Sequence, residues 1–255
     1  MKFNIDKLLP IHKHNIVLGN SIYVLKKIPK ETIDLVVTSP PYKNVDGFYP
    51  ELIDLVFNQI WRVLKNNSLI FVNFGHLAGQ KLRPFEVAKI ITEVGGGFKL
   101  EETFTWVKNH YRPISGTKRV NNLTEFIFMF SKGTIINLDR LAVGVPYADK
   151  DNVSRYGKGK DIKCGGNIWY IPYETINQSE QKLHNDRFPV ELPTRCIKLS
   201  NIRIRKNPII LDPFSGSATT AIACLDMKVN YLMIESNPIH YQTSIERIKN
   251  YTKLD

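Results

Sequence analysis

Short apolar runs rich in β-branched residues alternate along this chain with longer stretches in which apolar side chains return every third or fourth position. The runs predict strands and the stretches predict helices. Strands are expected at "NIVLG" (15–19), "IDLVVT" (33–38) and "SLIFVNF" (68–74). Between the last two, Leu52, Leu55, Val56, Ile60, Val63 and Leu64 recur at helical spacing and predict one apolar face. A further helix is expected over Pro84 to Val94, stopped by Gly95, Gly96 and Gly97. "LEETFTWVK" (100–108) and "TEFIFMFS" (124–131) read as strands separated by a basic, aromatic loop, 109–122. The last third is the most regular: strand "PIILD" (208–212), a loop of small residues, helix to about Met227, strand "NYLMIE" (230–235), and helix from Pro238.

This alternation predicts an α/β fold with a mostly parallel, twisted sheet and helices on both faces. One stretch breaks it. From about Thr134 to Gly166 the chain turns polar, glycine-bearing and mildly basic, and reads as a small insertion with little core of its own. Order returns at "NIWYIP" (167–172) and at "FPVELPTRCIKLS" (188–200), a helix with Pro193 in its first turn. The expectation is one catalytic domain over residues 1–255, interrupted by an insertion at 134–166.

Composition narrows the class. With 255 residues, 43% of them hydrophobic and 23% charged, the chain can bury a substantial core. Lys and Arg total 35 against 24 Asp and Glu, a formal charge of +11, which suits a polyanionic partner, most simply nucleic acid. No apolar run approaches membrane-spanning length, so no membrane association is expected. The opening "MKFNIDKLLPIHKHN" lacks an apolar core of signal-peptide type, which predicts a cytoplasmic protein. Cys164, Cys196 and Cys224 have no metal-ligand spacing and are expected as reduced thiols, with no metal site.

Two stretches carry chemistry. "DLVVTSPPYK" (34–43) ends a buried strand on consecutive prolines, which cannot donate to a ladder and fix their own φ. A rigid loop would then present Ser39, the Pro40 carbonyl and the Tyr42 ring at the carboxyl end of a strand, the edge where open α/β sheets bind ligands. "ILDPFSGSATT" (210–220) is a strand, an acid, a turn of small residues and a helix start. Small residues allow close backbone approach, and a helix N-terminus offers free N–H donors. Glu235 closes the next strand at about the spacing of a ribose-binding acid. There is no G-x-G-x-x-G. Asp212 at the mouth suits a cofactor carrying an ammonium better than one carrying a pyrophosphate.

Together these stretches resemble the S-adenosylmethionine-dependent DNA methyltransferases that act on amino groups, a restriction–modification family. "TSPPY" (38–42) matches their catalytic loop and "LDPFSGSATT" (211–220) their methionine-binding loop, in the motif order of the β group. "IVLGNS", "RVLKNNSLIFVNF", "TFTWVKN", "NLTEFIFMFSKG" and "HNDRFPVELPTRCIKLS" extend the resemblance through most of the chain. It implies a Rossmann-like methyltransferase fold with residues 134–166 as target-recognition insertion. It also implies that Asp212, Pro213, Phe214, Gly216, Ser217 and Thr219 line the methionine part of the cofactor. Glu235 would hold the ribose hydroxyls, and Phe188 and Pro189 would flank the pocket. Asn20 stands where the family usually has aspartate. Ala218 stands where glycine is common, a mild change if its backbone avoids the left-handed region.

The resemblance also implies a catalytic set of Ser39, Pro40, Pro41 and Tyr42. Ser39 and the Pro40 carbonyl would accept the two N–H groups of an exocyclic amine, aiming its lone pair at the cofactor methyl. Tyr42 would stack on a base flipped out of the duplex. Serine in place of aspartate at 39, with "FPVELP" at 188–193, favours cytosine N4; adenine N6 is the alternative. RNA or protein methylation, or a non-catalytic nucleic-acid-binding module, follows behind. The implied partner is double-stranded DNA, with a cognate restriction endonuclease acting separately, and the enzyme itself a monomer or homodimer. Candidate DNA contacts are Tyr111, Arg112, Lys118 and Arg119 in the basic loop, and Arg155, Lys158 and Lys160 with Tyr147 and Tyr156 in the insertion. His76, His184, Trp61, Trp106 and Trp169 read as structural.

Overall fold

The computed structural model describes residues 15–41, 50–76, 80–109, 118, 120–135, 137–173 and 187–253. Tyr42, Tyr111, Arg112, Arg119 and His184 lie outside the described residues. In chain order the elements are β1 (Asn15–Leu18), α1 (Ser21–Lys27), β2 (Ile33–Thr38), α2 (Pro50–Val63), β3 (Leu64–Gly75) and α3 (Arg83–Glu93). They continue with β4 (Lys99–Val107), β5 (Thr124–Lys132), α4 (Asp151–Arg155), β6 (Ile168–Tyr170) and α5 (Glu191–Leu199). The last are β7 (Ile209–Asp212), α6 (Thr219–Asp226), β8 (Asn230–Glu235) and α7 (Pro238–Tyr251).

The strands form one eight-stranded sheet in the order β1-β8-β7-β2-β3-β5-β4-β6. From β1 to β3 every neighbour is parallel, so the loops that follow β1, β8, β7, β2 and β3 all leave at one edge. β5 runs antiparallel to β3 and β4, and β6 is parallel to β4. Side chains of α1, α2 and α3 fill one core, with Val36, Val72 and Leu211 from the strands. Those of α5 and α6 fill a second core on the other face, with Val37, Phe71 and Ile210. Coverage on both faces explains why β2 is buried at all six positions and reads as an unbroken apolar run.

The start of the central pair is fixed by Asp34. This buried carboxylate accepts from Lys65 at 2.8 Å, Arg205 at 3.2 Å and the Ile209 amide at 3.0 Å, tying β2, β3 and β7 together.

Local differences from the pattern have physical reasons. The buried face of α2 runs through Ile53, Val56, Phe57, Ile60 and Val63, while Leu55 is 49% exposed. Leu64 belongs to β3, which begins without a turn and pairs Leu64 with Ile33. α1 has no long apolar repeat to announce it. It forms because Asn20 caps it, accepting from the Ile22 amide at 2.9 Å, and because Val24 and Leu25 bury. Gly95 and Gly96 end α3's region for a packing reason as well: a Cβ on either would fall 2.4 or 2.3 Å from the Trp61 ring. Trp61 meets Phe98 edge-on at 4.8 Å, Trp106 is fully buried, and Trp169 lies 4.5 Å from Phe104, so all three tryptophans sit in apolar packing. Among the described residues no helix is long and apolar enough to cross a membrane.

Candidate active site

Four adjacent parallel strands deliver the motif residues to one edge, and hydrogen bonds stitch their loops together. At β1, the Gly19 amide donates to the Glu235 carbonyl at 2.8 Å. Ser21, the first residue of α1, donates its hydroxyl to the Pro213 carbonyl. At β8, the Glu235 carboxylate accepts from the Gly216 amide on one oxygen and the Asn237 amide on the other, each at 2.8 Å. At β7, Asp212 accepts from Thr38 at 2.7 Å, from Thr220 at 2.7 Å and from the Phe214 amide at 3.1 Å. The Thr38 bond joins the two motif strands directly, one residue before Ser39.

Asp212 is 2% exposed, and burial raises its carboxyl to about 6 from an ordinary 3.8, against the pull of its three donors. A carboxylate in this setting is poised between its charged and neutral forms near neutral pH. Cys224 and Cys196 are buried, and burial pushes both thiols up, which makes them poor nucleophiles. His76 packs edge-on against Phe126, and burial, then Lys81, lowers its imidazole below the usual value.

The loop after β7 is held from behind. Arg247 of α7 donates to the Ser217 carbonyl at 3.0 Å, the Thr219 hydroxyl at 2.8 Å and the Ser217 hydroxyl at 3.3 Å. Between those two residues Ala218 is fully buried with φ +60°, inside the left-handed region. The substitution of alanine for the family's common glycine is therefore not mild: an L-residue there carries about 1–2 kcal/mol of strain. Arg247 over-determines the conformation that Ala218 resists.

The loop fits a ligand on two observations. Gly216 has φ +51°, and a Cβ built there meets no atom within 4 Å, so its open side is free for close approach. The Ser215 hydroxyl is buried and has no hydrogen-bond partner among the described residues. Phe188 and Pro189 are buried, and Phe188 shares its apolar cluster with Val37 and Ala218. Asn20 is exposed at the same edge, its side-chain oxygen engaged in capping α1. Ser39 is half-buried, Pro40 buried and Pro41 exposed.

Thr38, Ser21, Ser215, Thr220 and Arg247 are not singled out by sequence. Thr38, Ser21, Ser215 and Thr220 stand inside recognised motifs; Arg247 has no local signal.

The basic candidates are more scattered. Lys118 is exposed. The insertion leaves β5 where Lys132 pairs with Ser68, at the opposite edge of the sheet from Ser39. There Asp139 donates its amide to the Leu199 carbonyl at 2.9 Å, and Ile135, Leu138 and Val143 pack on the second core. Arg155, Lys158 and Lys160 are exposed on this segment, which is closed by a Lys150–Asp161 ion pair at 2.6 Å and a Val145–Lys163 bridge. Its anchors do not bring these cations together with Ser39. Among the described residues of this stretch, the chain returns to the Ser39 edge through β6 and residues 171–173.

A family model described as DNA methylase matches residues 33–246. The type II methyltransferase M.XycI of Xanthomonas campestris pv. cyanopsidis is 24% identical, over 91% of this chain and 86% of its own length. The DNA adenine methyltransferase YhdJ of Escherichia coli (strain K12) is 26% identical, over 91% of this chain and 82% of its own. Among solved structures, the PvuII DNA methyltransferase (cytosine-N4-specific) superposes with a TM-score of 0.74 at 21% identity, covering 95% of this chain and 91% of that one. The M1.HpyAVI–SAM complex superposes at 0.63 with 21% identity, covering 92% and 98%. The sheet with its two helical layers is thus a methyltransferase fold.

Proposed function

We propose that this chain, which belongs to the DNA methylase family, transfers a methyl group from S-adenosylmethionine to the exocyclic amine of a base held out of the duplex, and that the base is cytosine, methylated at N4. The observation that carries the reading is the juxtaposition of the two motif loops. β2 and β7 are neighbouring parallel strands, so the loop beginning at Ser39 and the loop beginning at Pro213 leave side by side, linked by Thr38 and Asp212.

When bound, S-adenosylmethionine supplies an electrophilic methyl group on a sulfonium. The residues of the chain do the positioning. Gly216 offers its open side to the methionine part, Asp212 and Ser217 flank it, and Glu235, with a lone pair left on each carboxylate oxygen, meets the ribose. Pro213, Phe214 and Thr219 shape the same loop, and Phe188 with Pro189 closes the pocket on the second-core side. Ser39 and the Pro40 carbonyl accept the two amine N–H groups. The conjugated lone pair is thereby freed for attack, and rigid alignment of the reacting atoms supplies much of the acceleration. Pro41 stiffens the loop, and Tyr42 stacks on the extruded base.

Serine at position 39 and "FPVELP" at 188–193 support cytosine. Similarity to the adenine enzyme YhdJ supports adenine N6 as the second reading. The setting is the modification half of a restriction–modification system, with duplex DNA as substrate, in keeping with the charge of +11. Incubating purified protein with methyl-labelled S-adenosylmethionine and mixed-sequence DNA, then digesting to nucleosides, tests all of this. Label in N4-methylcytosine is the expected result; label in N6-methyladenine selects the second reading; label in no nucleoside overturns both.

A further inference from the structure

We propose that Lys108, held by Glu125 between two aromatic rings, is the residue that reads the ring-acceptor edge of the extruded base, opposite the amine held by Ser39. The inference rests on the reading above and names a substrate contact that the motifs do not contain.

Lys108 follows β4 and Glu125 is the second residue of β5; both belong to the edge at which Ser39 stands. The ammonium of Lys108 donates to the Glu125 carboxylate, with side-chain exposures of only 13% and 11%. It lies 4.9 Å from the Trp106 ring centroid and 5.5 Å from that of Tyr173, and the two rings are stacked 5.5 Å apart. The Trp106 indole is fixed in turn by donation to the Ile171 carbonyl at 2.8 Å. A nearly buried cation and anion are costly to keep out of water unless the place needs them. The pair bridges the end of β4 to the start of β5, where the Lys108 amide also donates to the Leu123 carbonyl at 2.8 Å.

Side-chain alternation puts these groups on one face. Val37, Phe71, Ile127 and Trp106 all point into the second core, so Ser39 and Glu125, each two residues along its strand direction from one of them, share that face. The loop after β7 and Phe188 lie on it as well. The register gives the span. Thr38 pairs with Val72, which sets Ser39 level with Asn73, while Glu125 pairs with Gly75, so Glu125 lies two ladders across and two residues along from Ser39. Two ladders and two residues together separate the backbones by roughly 12 Å, and a pyrimidine carrying a hydrogen bond at each end takes up roughly 10 Å of that. Cytosine presents amine, ring nitrogen and carbonyl along a single edge. Ser39 offers an acceptor where the amine must lie, and Lys108 offers spare donors where the carbonyl must lie. Trp106 and Tyr173 supply an apolar wall.

The test uses Lys108→Met, which removes the donors, and Lys108→Met/Glu125→Gln, which removes both charges so that no buried carboxylate is stranded. Lys108→Arg is the rescue. For each protein the thermal midpoint, the S-adenosylmethionine dissociation constant and the rate of label transfer to mixed-sequence DNA are measured. Expected is cofactor affinity within twofold of the parent, with transfer falling at least thirtyfold in both methionine variants and recovering partly in Lys108→Arg. Transfer within threefold of the parent in either folded methionine variant overturns the proposal. So does a parallel loss of cofactor binding, which would mark the pair as structural. A parent protein that labels no nucleoside overturns the functional reading itself, which the variants alone would not.

Discussion

Thr38 donates its hydroxyl to Asp212 at 2.7 Å across 174 residues of chain, and this bond extends the β2–β7 ladder to the point where the Ser39 and Pro213 loops begin. Both partners are buried, at 1% and 2% exposure, so neither can exchange the other for water. Replacing Thr38 with valine keeps the shape and removes the donor. The expected loss is about 1–3 kcal/mol of unfolding free energy, measured in urea, because the carboxylate is left short of a partner. A variant as stable as the parent would mean the bond carries no weight.

The pH dependence follows from the same carboxyl. Burial raises Asp212 to about 6 in the folded protein from an ordinary 3.8. The native state therefore holds this proton more tightly than the unfolded chain does. The associated stability is fully present below about 4, is lost as pH rises through 6, and the accumulated difference is on the order of 3 kcal/mol. Against Asp212→Asn as the reference, the parent should lose ground between pH 4 and 6 and stay level above. Unfolding curves in that window check the sign. The opposite slope would contradict the raised value.

Ser39→Ala separates binding from chemistry. Gly216, Asp212 and Glu235 are untouched, so the affinity for S-adenosylmethionine should stay within twofold by equilibrium dialysis. Methyl transfer should fall by about a hundredfold, the usual weight of one preorganised polar contact to a reacting group. Equal loss of both would remove Ser39 from the catalytic role.

Gly216→Ala tests the cofactor loop from its open side. The new methyl group meets no protein atom, and the left-handed φ of +51° adds about 1–2 kcal/mol of strain. If the proposed loop holds the methionine part, cofactor affinity should fall at least tenfold while the fold persists, since the new methyl group would enter that open space. Circular dichroism and dialysis together check this; unchanged affinity would place the ligand elsewhere.

Arg247→Met removes the Nη1 group that donates to Ser217 and Thr219 without touching the open side of the loop. The expectation is a KM for S-adenosylmethionine several-fold higher, kcat little changed at saturation, and partial recovery in Arg247→Lys. A fall in kcat alone would argue against a positioning role.

How much of this could be read in the sequence depends on how local the cause is. β2 was read with its observed bounds because two covered faces impose an unbroken apolar run. β7 and β8 were equally clear for the same reason. The helix face of α2 is legible through Val56, Ile60 and Val63, with Leu52 packed at its margin; the spacing wrongly admits Leu55, which is exposed, and passes over Ile53 and Phe57. α1 is too short to show a period; its evidence is a single cap.

At the site, the acid and small-residue signals of Asp212, Gly216 and Glu235 are local and were legible. The Thr38 bond depends on which strand lies beside β2, and the Arg247 clamp on how α7 packs, and neither leaves a trace in neighbouring residues. Ala218 is a harder case. Alanine gives no warning of a positive φ, so the conflict at that position is visible only in the backbone. The change of composition between β5 and β6 is visible in the sequence, yet the attachment of that segment at the far edge through Asp139 and Leu199 follows from β5 running antiparallel, which no stretch of residues announces.

The central pairing also sets an order of events during synthesis. β2 emerges early and β7 late, so the two strands can lie side by side only after residues beyond 212 have left the ribosome. On the proposed reading, the site is complete only after β8 and α7 have followed, since Glu235 and Arg247 hold the loop that β7 begins.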